Sequence, residues 1–73
     1  MRVPVEIFYD LECSTVTVIG PDVDGTVRII NGDSVIDETD CINASFLLPA
    51  SLTGRLTILV ETEYWTATGI LNL

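Results

Sequence analysis

Apolar and polar side chains alternate at a period of two residues in short runs along the chain, with turn-forming residues between them. Val3 to Tyr9 places Val3, Val5, Ile7 and Tyr9 on one face and Glu6 on the other. Pro4 has no N–H for a ladder, so this first run reads as an edge strand. Ser14 to Ile19 points Val16 and Val18 one way and Thr15 and Thr17 the other, until Gly20-Pro21-Asp22-Val23-Asp24-Gly25 breaks it. Thr26 to Asn31 and Ser34 to Glu38 are separated by Gly32-Asp33, the length and chemistry of a two-residue hairpin loop. After a polar stretch from Thr39 to Asn43, Ala44 to Pro49 carries Phe46 and Leu48 on one face. Arg55 to Glu61 aligns Leu56, Ile58 and Val60, and Trp65 to Leu73 aligns Trp65, Ala67, Leu71 and Leu73.

No helical period competes with these runs, and turns spaced about 8 to 12 residues apart mark a sandwich or barrel. The expectation is an all-β fold, a seven-stranded antiparallel immunoglobulin-like β-sandwich, with residues 1–73 forming a single domain. A chain this short buries only about 60% of its unfolded surface, which leaves little room for a deep cleft. Its composition is 48% hydrophobic and its mean hydropathy +0.49, too apolar for a disordered segment. No stretch approaches the roughly 18 apolar residues of a membrane span.

The charge narrows the list of partners. Eleven acidic residues stand against Arg2, Arg28 and Arg55, with neither Lys nor His, for a net charge of −8. Such a field repels phosphate backbones and anionic lipid, so nucleic acid and charged membrane surfaces are not expected partners. Divalent cations and basic partners stay open on charge alone, against the simpler reading that the carboxylates keep an apolar domain in solution.

Laid end to end, Val3-Pro4-Val5, Val27-Arg28-Ile29 before the Gly-Asp turn, Gly54-Arg55-Leu56-Thr57-Ile58 and Gly69-Ile70-Leu71-Asn72-Leu73 resemble domain-of-unknown-function family 3244. Its members are short secreted or envelope-associated immunoglobulin-like proteins of gut Bacteroidetes. The resemblance implies a secreted, periplasmic or cell-envelope location, with a signal peptide removed upstream of Val3. It supplies no catalytic residues.

Catalysis is not expected from the residues themselves. Without His or Lys, the commonest general base and the amine nucleophile are missing. Paired carboxylates could cleave a glycoside, but only in a cleft that holds a sugar ring. No cofactor is implied. Asp22-Val23-Asp24-Gly25 looks like the start of a calcium loop but lacks the bidentate Glu that completes one, so an Asp-Gly turn is expected and calcium is not. The sequon Asn43-Ala44-Ser45 matters only in a eukaryotic secretory pathway. Cys13 and Cys41 fall in interstrand segments at opposite ends of an up-and-down arrangement, about one strand length apart, so they are expected to be free, buried thiols rather than a disulfide.

Two constellations remain. Tyr64 and Trp65 could stack on a sugar, giving a small carbohydrate-binding module, or Trp65 could instead fill the core. The other is hydrophobicity on the wrong face. Ile30 beside Ile29, Leu47 between Phe46 and Leu48, Leu59 between Ile58 and Val60, and Ile70 beside Leu71 break the inside-outside alternation of a half-exposed sheet. Ile30, Leu59 and Ile70 belong to the third, sixth and seventh runs, which pair in one sheet in an immunoglobulin-like order. An outward patch there predicts an interface with a protein partner or a homodimer, unless twist and loops cover each residue singly. The function this supports is a non-catalytic interaction module.

Overall fold

The alternation is realised as seven strands and, among the described residues, no helix. A computed structural model describes residues 5–73. The strands are β1 (Glu6–Asp10), β2 (Thr15–Ile19), β3 (Asp24–Asn31), β4 (Ser34–Cys41), β5 (Ala44–Leu47), β6 (Arg55–Thr62) and β7 (Thr66–Asn72). They form two antiparallel sheets, one of three strands in the order β1-β2-β5 and one of four in the order β4-β3-β6-β7. The third, sixth and seventh strands therefore share a sheet, the pairing expected of them. β1 lies at an edge, the place that Pro4 argued for, although Val3 and Pro4 themselves lie outside the described residues.

Period-two alternation decides what lies between the sheets. Val16 and Val18 of β2 and Phe46 of β5 face Val27 and Ile29 of β3 and Leu56, Ile58 and Val60 of β6, and all are buried. Removing each of these side chains from water is worth about 1.5–3 kcal/mol. Val5, Ile7, Tyr9, Trp65, Ala67 and Leu71 pack partly buried around that cluster. Leu48 and Ile42 complete the core. Ile42 comes from the stretch Thr39 to Asn43, which reads as polar in the sequence, yet it is 1% exposed.

The Gly32-Asp33 hairpin forms as expected, with Asn31 opposite Ser34. Its positive φ of 64° falls at Gly32, the first central residue, where a II′ turn needs glycine. The preceding connection differs from expectation. Asp24-Gly25 is not a turn but the start of β3, and the chain reverses just before it, where the Val23 N–H donates to the Pro21 carbonyl at 2.9 Å. Gly25 sits inside the strand because Ile42 Cδ1 and the Glu61 carbonyl press against the space a side chain would fill. β4 also runs past its expected end at Glu38, to Cys41.

The cysteines are free, as expected, but both are exposed rather than buried. Thr15 pairs with Leu47 and Val18 with Ala44, so Cys13, just before Thr15, and Cys41, just before Ala44, lie at opposite ends of the β2–β5 pair. Cys13 is held at the surface by a tight turn in which Asp10 Oδ1 accepts the Glu12 and Cys13 N–H groups at 3.0 and 3.3 Å. Cys41 ends an edge strand that is exposed along nearly its whole length.

The two core-facing glycines give a graded test. A Cβ on Gly25 would lie 2.5 Å from Ile42 Cδ1 and 2.6 Å from the Glu61 carbonyl oxygen, which belongs to the β6 backbone. Gly25→Ala is expected to cost about 1–3 kcal/mol, as overpacked cores do. A Cβ on Gly69 would meet only Ile7 within 3 Å, at the movable end of that side chain, so Gly69→Ala should cost clearly less. Urea unfolding of the two variants measures the order.

Candidate protein interface

Once Leu56, Ile58 and Val60 face inward, strand parity forces Arg55, Thr57, Leu59 and Glu61 onto the opposite face of the sheet. The same holds for Thr26, Arg28 and Ile30 of β3 and for Thr66, Thr68, Ile70 and Asn72 of β7. Register then sets their neighbours. Ile30 lies opposite Val35 on one side and Thr57 on the other, and Thr57 lies opposite Ile70. Val35, Ile30, Thr57 and Ile70 thus form one row across all four strands. In the next row Arg28 separates Glu38 from Leu59, and Leu59 adjoins Thr68.

The candidate interface residues Ile30, Leu59 and Ile70 are therefore brought together on one outer face. Ile30 and Leu59 are half-buried by their neighbours, while Ile70 is 52% exposed. Val35, 53% exposed, extends the row. Sequence pattern alone missed Val35, because the register shift after Ile29 that aligns it with Ile30 is not written in the alternation. Beside this row Arg28 binds two carboxylates, Nε to Glu38 Oε2 at 3.1 Å and Nη1 to Glu61 Oε1 at 2.7 Å. Its charge offsets one of the two carboxylates that share the face with the apolar row.

The outer face of the β2 sheet also exposes apolar groups, among them Phe8, Ile19 and Leu47. They do not form a row. Ile19 is opposite Glu6, Phe8 is opposite Thr17, and Leu47 shares its row with Thr15 and Asp10. Thr17 and Ser45 hydrogen-bond to each other through their hydroxyls at 3.2 Å between Phe8 and Leu47. Phe8 was legible as an outward residue from its parity with Glu6.

Tyr64 and Trp65 sit in the β6–β7 turn, which Thr62 locks. Its Oγ1 accepts the Tyr64 and Trp65 N–H groups at 3.1 and 3.0 Å, and its N–H donates to the Trp65 carbonyl at 2.9 Å. Tyr64 is left 80% exposed, whereas Trp65 packs half-buried against the core. The turn sends one ring to solvent and the other to the interior, which is not the shared platform that sugar stacking uses.

Among the described residues no group of three or more His, Cys, Asp or Glu is placed to hold a metal ion, and no helix is long and apolar enough to cross a membrane. Asp24, Asp40, Glu61 and Glu63 line one open depression, and Phe8, Asp10, Leu11 and Glu12 another. No family model, curated protein or solved structure matches this chain.

The Arg28 pairs are accessible to water, with side-chain exposures of 39%, 59% and 42% for Arg28, Glu38 and Glu61, so screening leaves them little net stability. Arg28→Leu is expected to lower unfolding stability by less than about 1 kcal/mol, with the difference from the parent shrinking as salt is added. Urea melts at low and high ionic strength measure both effects.

Proposed function

We propose that this domain is a non-catalytic interaction module whose outer β3-sheet face docks against a protein surface. The observation that carries the reading is the row Val35, Ile30, Thr57 and Ile70, three of whose four side chains are apolar, flanked by Leu59. The inner face of the same sheet is already filled, so these side chains have no core to enter. A contiguous exposed apolar patch on a small soluble domain marks an interaction site.

The sandwich is read as immunoglobulin-like. Its strand order supports this, with β1-β2-β5 packed on β4-β3-β6-β7 and the fourth strand beside the third. That is where variable-type domains place the strand that constant-type domains lack in this sheet. The resemblance to domain-of-unknown-function family 3244 supports a secreted or envelope-associated setting. The absence of His and Lys supports a non-catalytic role.

Leu59→Asp tests the face. It places a charge at the centre of the patch beside Arg28 and touches no inward position. Unfolding stability is expected to change by no more than about 1 kcal/mol, while association between faces weakens about tenfold or more, the equivalent of about 1.4 kcal/mol. Sedimentation equilibrium at high protein concentration reads the association. If the parent shows no species that Leu59→Asp removes, self-association through this face is excluded.

A further inference from the structure

An edge strand presents unpaired N–H and C=O groups that invite another strand, and folded proteins guard such edges with charge, proline, irregular pairing or short length. Among the described residues the sheet edges are β1, β5, β4 and β7. β1 carries Glu6 and Asp10. β5 has only four residues, with Pro49 soon after. β4 carries Asp37, Glu38 and Asp40 and shifts register twice against β3. β7 has none of these guards. It has seven residues with no charge and no proline, and it holds an unbroken register with β6 from Arg55–Asn72 to Glu61–Thr66.

The hydrogen-bond phase shows which of its backbone groups are open. Gly54 and Leu73 exchange both bonds, at 3.2 and 2.8 Å, and the Thr62 N–H donates to the Trp65 carbonyl at 2.9 Å. In an antiparallel ladder this phase repeats every second residue. Ala67, Gly69 and Leu71 therefore direct their groups to β6, and Thr66, Thr68, Ile70 and Asn72 direct theirs away from the sheet. Among the described residues β7 pairs with β6 alone.

We propose that a second copy of this chain adds at this edge, β7 antiparallel to β7, about a two-fold axis at Gly69. In that register Thr68 of one copy meets Ile70 of the other and Thr66 meets Asn72, so every open residue is paired. A shift of two residues strands either Thr66 or Asn72 of both copies. Gly69 meets Gly69 at the non-hydrogen-bonded position, where Cα atoms approach to about 4.5 Å, and neither presents a side chain. The occupant is a second copy because the register is self-complementary. It is also the pairing that two chains of net charge −8 can make without bringing carboxylates into the ladder. The Ile70 side chains become diagonal neighbours across the new pair, joining the two apolar rows into one face. That last consequence rests on the proposed role of the face, and the strand pairing does not.

Amide hydrogen exchange by NMR at low and high protein concentration tests the pairing through its alternation. The Thr66, Thr68, Ile70 and Asn72 amides are expected to exchange about tenfold or more slowly in the dimer, while Ala67, Gly69 and Leu71 are protected at both concentrations. Thr68→Pro removes an outward N–H without taking a bond from β6 and should give a folded monomer. If that variant fails to fold, the exchange pattern of the parent chain still decides. Leu59→Asp should leave the edge dimer intact, so a face that proves inert leaves the strand pairing standing. A monomer with freely exchanging outward amides overturns the proposal, as does a dimer in which those amides stay unprotected. Outward protection independent of concentration also overturns it, because the edge would then be covered within one chain.

Discussion

Strand parity is the constraint on which the rest of this structure depends. Leu56, Ile58 and Val60 of β6 are sealed against Val16, Val18 and Phe46 across the sandwich, and each inward residue fixes its chain neighbours outward. Leu59 cannot join the core without expelling both Ile58 and Val60. The same rule sends Ile30 outward beside Ile29 and Ile70 outward beside Leu71. The apolar outer face is thus not a failure to bury hydrophobic groups. It is what remains when a small interior has been filled from one side of each strand.

Charge shapes how that face can be used. Two copies or an acidic partner approach against a net charge of −8, so close contact is favoured where carboxylates are absent or neutralised. Arg28 bridges Glu38 and Glu61 within the sheet and offsets one of their two charges, and β7 contributes none. The less acidic side of the molecule therefore runs from Arg28 to the β7 edge, and the exposed apolar side chain of Ile70 lies on it. The proposed face and the proposed edge are adjoining parts of one weakly charged region.

Much of this was legible in the sequence. Alternation located all seven strands, the Gly32-Asp33 pair located a hairpin, and the apolar residues at outward parity pointed to Ile30, Leu59 and Ile70. What was not legible depended on contacts between segments distant in the chain. Gly25 looks like half of an Asp-Gly turn, and only the approach of Ile42 and the Glu61 backbone shows why a strand needs glycine there. Ile42 is surrounded by polar residues in sequence yet closes one part of the core. Val35 joins the outer row through a register shift. The thiols were expected to be buried, but one sits in an Asp10-capped turn and the other on an edge strand.

The claim that the outer β3-sheet face is an interface is tested most directly by an isotope-filtered NOE experiment on a mixture of labelled and unlabelled chains at high concentration. Intermolecular cross-peaks are predicted for the methyl groups of Ile30, inside the row, and of Leu59, which flanks it, both on the interior strands β3 and β6 rather than on the β7 edge. Cross-peaks absent from these methyls, or confined to Phe8, Ile19 and Leu47, would contradict the account.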